Sequence, residues 1–106
     1  MAEHLLDRGY KDPAVVLAGG VLEQHLRRLC QHRSIPIDVD GKPKSADLLN
    51  SELCKAGVYD KMDQKSVTSW QELRNRAAHG DYLSYEAERV KLLILGVRDF
   101  TRRVPS

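Results

Sequence analysis

An arginine and a histidine, Arg74 and His79, stand five positions apart in this sequence, and Asn75 directly follows the arginine. A histidine side chain exchanges protons near neutral pH, whereas a guanidinium is always charged and forks onto phosphate oxygens. Together they can activate a ribose 2′-hydroxyl and stabilise the charge that develops on the phosphate, and no metal is required. Asn75 would orient the histidine or hold a phosphate oxygen. These residue types therefore indicate phosphodiester chemistry on RNA.

The three residues lie near the end of a predicted helix over residues 63–80, which Gly80 closes. Five residues on an ideal helix place Arg74 and His79 about 140° apart around the axis and about 7.5 Å apart along it. One helix therefore supplies half of a compact active site. A second copy related by a two-fold axis would complete it. The predicted core positions of this helix are Val67, Trp70, Leu73 and Ala77.

A structural interpretation of the same residues stands beside the chemical one. Arg74 would pair with an acidic neighbour, Asn75 would face water, and His79 would meet the dipole at the helix C-terminus. An arginine and a histidine at this spacing occur by chance in many helices. Composition and spacing leave both interpretations open.

Length and composition predict one domain over residues 1–106, because 106 residues can bury a single core. Hydrophobic content of 42% with 30% charged residues is typical of a globular protein, and no apolar run approaches the roughly 18 residues that span a bilayer. No basic-then-apolar leader follows Met1. We therefore expect a cytoplasmic protein without membrane contact.

The two cysteines, Cys30 and Cys54, are expected to be small apolar core groups rather than a disulfide. Zinc coordination by these cysteines and His32 would lack the paired spacing that zinc sites show. His25, a lone histidine beside the apolar positions of a predicted long helix, is expected to be a hydrogen-bonded core or interface residue rather than a ligand. We predict neither a metal nor a cofactor.

Net charge is only +2, so any contact with nucleic acid must be local. The basic residues cluster at three places. Each cluster is either a local contact for nucleic acid or a solvated helix end. They are Arg27, Arg28 and Arg33; Arg74 and Arg76; and Arg102 and Arg103. Of these, Arg76, Arg27 and Arg28 are the predicted nucleic-acid-binding residues.

The remaining elements are also helical. A short helix over residues 2–8 ends at Gly9, and a long helix then runs from Asp12, its predicted N-cap, to about residue 33. Gly19 and Gly20 interrupt this helix at a cost of about 2 kcal/mol, which a closely crossing helix backbone would offset; a kink is the alternative. The predicted buried stripe is Val15, Ala18, Val21, Leu22, Leu26 and Leu29.

A loop over residues 34–44 precedes a helix over residues 45–55, with Ser45 as N-cap and Gly57 just beyond its end. Its predicted core positions are Leu48, Leu49 and Leu53. The last helix starts at Ser84 and runs to about residue 103 on Val90, Leu93, Ile94, Val97, Phe100 and Val104. No strand pair with hairpin chemistry is expected. The predicted fold is an all-α antiparallel bundle of four main helices plus a short N-terminal one.

Arg74 and Asn75 followed by His79, at the end of the penultimate helix of a small helical bundle, resemble the motif of the HEPN domain (higher eukaryotes and prokaryotes nucleotide-binding). Its hallmark is an arginine, usually followed by a polar residue, and a histidine after four to six further positions. The spacer here has four residues. The resemblance covers the whole chain, including the long early helix and the closing amphipathic helix.

The resemblance implies a homodimer whose facing motifs form a composite cleft. Many HEPN proteins are metal-independent endoribonucleases that act as toxins or antiviral effectors and leave 2′,3′-cyclic phosphate ends. His79 would then be the acid/base group, Arg74 the phosphate group and Asn75 an auxiliary. Other members bind a nucleotide, RNA or protein partner without cleavage. In one toxin branch the partner is a nucleotidyltransferase antitoxin that adenylylates a tyrosine two positions after the histidine, whereas Tyr82 lies one position later here.

Overall fold

The computed structural model describes residues 11–80 and 86–106, which form four α-helices and one two-stranded hairpin. The all-α class is confirmed for these residues. The predicted short helix over residues 2–8 lies outside them, as do the residues Tyr82 and Ser84 themselves. The helices are α1 (Lys11–His32), α2 (Ala46–Lys55), α3 (Lys61–Ala78) and α4 (Ala87–Arg103).

Side-chain caps determine where α2 and α3 begin. The start of α2 agrees with the prediction, whereas α3 begins earlier than predicted. The Ser45 hydroxyl accepts a hydrogen bond from the Leu48 N–H at 3.2 Å, which confirms the predicted N-cap. α3 begins at Lys61 rather than near Asp63, because the Asp60 carboxylate caps it and accepts the Asp63 N–H at 2.9 Å.

The other helix starts differ from the prediction. α1 already includes Asp12, so that residue is not its N-cap. α4 begins after Glu86, which occupies the N-cap position without a side-chain capping bond. Glu88 lies in the first turn of α4, where its negative charge interacts favourably with the helix dipole.

The loop between α1 and α2 contains a hairpin, so the prediction of no strand pair was wrong. Strand β1 (Asp38–Val39) pairs antiparallel with β2 (Lys42–Pro43). The two turn residues, Asp40 and Gly41, have φ angles of 52° and 76°. Positive φ at both positions is the type I′ geometry that an Asp-Gly pair favours, so this dipeptide was the missed signal.

α1 lies at the centre of the fold and contacts the other three helices. The core follows most of the predicted stripes, but Val21 is 51% exposed and Leu48 is 41% exposed. Each directly precedes a fully buried leucine, Leu22 or Leu49, and one residue along a helix turns a side chain about 100° around the axis. The buried apolar residues of α1 are Ala14, Val15, Ala18, Leu22, Leu26, Leu29 and Cys30.

Phe100 of α4 joins the helices through its ring. It is fully buried and makes edge-to-face contacts with His25, Tyr59 and Trp70, at ring-centroid distances of 5.9, 5.2 and 6.1 Å. Trp70 also lies over Gly96, where an added Cβ would stand 2.5 Å from its ring. Trp70 is therefore a structural residue between α3 and α4.

His25 is a hydrogen-bonded core histidine, as predicted. It is 7% exposed, and its Nε2 donates to the Val104 carbonyl at 2.7 Å. Because a carbonyl can only accept, Nε2 must carry the proton. The bond ties the end of α4 to α1.

Tyr59, whose ring contacts Phe100, forms a buried polar pair with Asn50. The Tyr59 hydroxyl donates to Asn50 Oδ1 at 2.6 Å, and Asn50 Nδ2 donates to the Gln64 carbonyl at 3.0 Å. Asn50 is 2% exposed, so these bonds satisfy a side chain that water does not reach. Burial raises the pKa of the Tyr59 phenol well above its usual value.

We expect Tyr59→Phe to lower the free energy of unfolding by about 1–3 kcal/mol at pH 7, because Asn50 Oδ1 loses its buried donor. The folded state favours the protonated phenol, so this contribution is present below the unfolded pKa of about 10 and is lost as the pH rises above it. Urea unfolding of both proteins at pH 7 and pH 10.5 measures the difference. Equal stability at pH 7 would contradict this account.

Candidate functional site

α3 ends at the residues that the motif singled out. His79 is the C-cap, and its N–H donates to the Asn75 carbonyl at 3.0 Å. Gly80 has a φ of 78°, and its N–H donates to the Ala77 carbonyl at 3.1 Å. A glycine with positive φ directly after the C-cap is a common helix stop. Gly80 therefore fixes where the helix ends, as predicted.

Asn75 and His79 both have exposed side chains. They are four residues apart, so they occupy neighbouring positions on one face of the helix end. A polar amide and an imidazole are thus presented to solvent one turn apart. This face is accessible to a substrate or to a second protein chain.

Arg74 lies on a different flank, against α1. Its aliphatic carbons pass directly over Gly19: a Cβ added there would stand 2.9 Å or less from the Cβ, Cγ and Cδ atoms of Arg74. The close approach predicted at this glycine is therefore present, but the arginine side chain makes it rather than a helix backbone. A Cβ added at Gly20 would have no atom within 4 Å, so nothing in the structure explains why this position is a glycine.

The guanidinium of Arg74 is paired with an acidic neighbour. Its Nη1 lies 3.2 Å from Oε2 of Glu23, and the other carboxylate oxygen of Glu23 lies 3.1 Å from Nη2 of Arg27. Arg27 also donates to the Lys44 carbonyl at 2.8 Å. The pairing that the structural interpretation predicted for Arg74 is therefore observed. Because all three charged side chains are about a quarter to a third exposed, each pair contributes at most about 1 kcal/mol.

The predicted site residues fall into two separate groups. Among the described residues, no hydrogen bond or ion pair joins Arg74 to His79, in keeping with their separation around the helix. Of the predicted nucleic-acid-binding residues, Arg28 is exposed on α1 and Arg76 is half-buried on α3, whereas Arg27 is engaged by Glu23. Nothing in the structure brings Arg28 and Arg76 together.

A pocket of about 270 Å³ lies between the N-terminus of α2 and the flank of α3 that carries Arg74. We call it the Gln71 pocket. It combines two of the predicted site residues with five that the motif did not include. Its lining residues are Glu23, Ser45, Ala46, Asp47, Gln71, Arg74 and Asn75.

Two of the residues that line this pocket, Gln71 and Arg74, each have a buried side-chain donor without a hydrogen-bond partner. Nε2 of Gln71 and Nε of Arg74 are buried, and neither makes a hydrogen bond. Gln71 itself is only 4% exposed. An unpartnered buried donor is costly and uncommon in folded proteins, so each calls for an explanation. The sequence could have pointed to Gln71 as a neighbour of Arg74, because it precedes Arg74 by three residues and so shares its face of the helix.

The cysteines take no part in this site. Both are free thiols, Cys30 buried and Cys54 half-buried. Burial raises the pKa of the Cys30 thiol, and the nearby Glu52 carboxylate raises it further. Cys30 is therefore protonated at neutral pH. In the described part of the chain, no three His, Cys, Asp or Glu side chains form a group that could hold a metal.

Comparison with known proteins gives no assignment: no protein-family model, curated protein or solved structure matches the chain. Of the helices in residues 11–80 and 86–106, none has the length and apolar character needed to cross a membrane.

The two adjacent glycines of α1 provide a matched test of the contact with Arg74. We expect Gly19→Ala to lower the free energy of unfolding by about 1–3 kcal/mol, since the methyl group collides with Arg74. Gly20→Ala should raise it by about 0.5–1 kcal/mol, because alanine favours the helix and the space is open.

Urea unfolding measures both variants. In an Arg74→Ala background the penalty of Gly19→Ala should become smaller, since the Cγ and Cδ atoms are gone. Equal effects of the two glycine substitutions would contradict the contact.

Proposed function

We propose that this protein is a metal-independent endoribonuclease of the HEPN type, with a composite active site at a homodimer interface. The observation that carries the proposal is the arrangement at the end of α3. His79 is exposed at the C-cap, Asn75 lies one turn before it, and Arg74 stands on the adjacent flank beside a pocket. In this proposal the described helices belong to an antiparallel HEPN-like bundle that comprises residues 1–106.

The reaction uses three groups. His79 accepts the proton of a ribose 2′-hydroxyl, and the 2′-oxygen forms a bond to the adjacent phosphorus. The bond from phosphorus to the 5′-oxygen breaks, that oxygen takes a proton from water, and a 2′,3′-cyclic phosphate remains. Arg74 and Asn75 stabilise the charge on the phosphate oxygens during the step.

The dimer follows from the separation of Arg74 and His79. Within one chain the guanidinium faces α1, whereas the imidazole projects at the end of α3. A two-fold axis near the end of α3 would place Arg74 of one copy beside His79 of the other, twice per dimer. Each site would then use residues from both chains.

The proposed biological setting is a toxin-antitoxin or antiviral defence system in the cytoplasm. An antitoxin protein is the proposed second partner. The exposed Arg28, with Arg27 and Arg76, would contact the RNA backbone outside the reacting phosphate.

A second candidate function is a non-catalytic HEPN-like module that dimerises and binds a nucleotide, RNA or protein. One observation favours it: Glu23 forms an ion pair with the Arg74 guanidinium that catalysis would need. In that case Arg74 would hold α3 on α1 and would not act on phosphate.

We expect the purified protein to cleave single-stranded RNA in the presence of a chelator and to leave 2′,3′-cyclic phosphate ends. His79→Ala should reduce the cleavage rate by about 10²–10⁴-fold, the usual contribution of a general acid or base. His32→Ala is the matched control, because His32 is also exposed at a helix C-terminus.

Product ends can be identified by mass spectrometry. RNA that stays intact, or equal rates for His79→Ala and the unaltered protein, would contradict the nuclease. Nucleotide or RNA binding that survives loss of both Arg74 and His79, without cleavage, would then support the binding module.

A further inference from the structure

The carboxylate of Glu23 bridges two arginines that belong to different helices. Its Oε2 lies 3.2 Å from Nη1 of Arg74 on α3, and its Oε1 lies 3.1 Å from Nη2 of Arg27 on α1. Arg27 also donates to the Lys44 carbonyl at 2.8 Å. Because both carboxylate oxygens are engaged, Glu23 has little freedom to turn away from Arg74.

The contacts continue from Arg27 into α2. Lys44, whose carbonyl accepts the hydrogen bond from Arg27, places its Nζ 3.0 Å from both carboxylate oxygens of Glu52. The Lys44 side chain is only 10% exposed, so water screens this pair less than it screens a surface pair. The far end of the bridge is therefore anchored to a second helix.

Packing fixes the other end of the Arg74 side chain. Its aliphatic carbons lie over Gly19, and its Nε is buried. The stem packing and the ion pair at Nη1 together restrict both the position and the rotation of the guanidinium plane. A guanidinium binds phosphate through donors in fixed directions, so its orientation decides how well it can act on one.

We propose that Glu23 is a positioning residue for Arg74 in the cleavage reaction, an inference that rests on the proposed function. Glu23 touches no reacting atom. It holds the guanidinium in one orientation before the RNA arrives, and donors that are already in place need no reorganisation during the reaction. With the ion pair formed, 31% of the Arg74 side chain is still exposed. The phosphate would approach the terminal Nη groups, because Nε is buried.

A carboxylate beside a catalytic arginine can have either of two effects on the rate. If Glu23 positions Arg74, removal of its charge leaves the guanidinium free to rotate and slows cleavage. If Glu23 instead competes with the phosphate for Arg74, removal of its charge accelerates cleavage. The sign of the change in rate therefore separates the two effects.

The test compares the unaltered chain with Glu23→Gln, which keeps the side-chain size and removes the charge. Cleavage of single-stranded RNA is measured in chelator, and kcat and KM are determined. We expect kcat to fall about 10–100-fold, the range that a misplaced catalytic group causes, with a smaller change in KM. Asp38→Asn removes an exposed carboxylate on β1 and should leave both constants unchanged.

Two further comparisons separate positioning from folding. Glu23→Asp keeps the carboxylate and should lose less activity than Glu23→Gln. In an Arg74→Lys background, Glu23→Gln should cost clearly less than in the unaltered chain, because the point charge of lysine has no plane to orient. Urea unfolding of each variant should stay cooperative, since the ion pairs of Glu23 are partly exposed.

Equal or faster cleavage by Glu23→Gln, or the same loss in both backgrounds, would overturn the positioning role and leave the nuclease standing. A slower rate with loss of cooperative unfolding in both Glu23 variants would be a folding effect and would also overturn it. RNA that stays intact with the unaltered chain would reject the nuclease, and the positioning role with it.

Discussion

The position of Arg74 across Gly19 is the contact on which the rest of the site depends. Gly19 leaves room for the aliphatic carbons of Arg74 against α1, and the guanidinium reaches Glu23 one turn further along that helix. This contact fixes which flank of α3 faces α1. With that flank fixed, Asn75 and His79 point outward, and Gln71 faces the N-terminus of α2.

The same contact gives Arg74 two roles that compete for one guanidinium. Nη1 holds the two helices together through Glu23, and the proposed reaction uses the same guanidinium on the phosphate. A planar guanidinium can serve both roles because its donors point in fixed, different directions. Under the proposed function, Glu23 would orient the arginine rather than inactivate it.

Much of the fold follows from local rules that the sequence makes explicit. Ser45 predicted a cap, Gly57 and Gly80 predicted helix ends, and helical spacing predicted most of the core. The failures occurred where one pattern allowed two outcomes. Val21 and Leu48 lie at the edges of apolar stripes, where a helical pattern allows either burial or exposure. The Asp40-Gly41 pair is compatible both with an irregular loop and with the type I′ turn that the structure shows.

The candidate site was less predictable, because it depends on tertiary contacts. The motif identified Arg74, Asn75 and His79, but nothing in their spacing showed that Arg74 crosses Gly19 or that Gln71 keeps an unpartnered donor. Glu23 precedes Arg27 by four residues, so that ion pair could have been predicted, whereas its second partner comes from another helix.

Subunit complementation tests the composite site most directly. Arg74→Ala and His79→Ala chains, each inactive alone, are mixed, unfolded and refolded together, and RNA cleavage is measured in chelator. Half of the dimers should be mixed and each should contain one intact site, so roughly a quarter of the unaltered activity should return. No recovery from a mixture shown to contain mixed dimers would contradict a site built from Arg74 of one copy and His79 of the other.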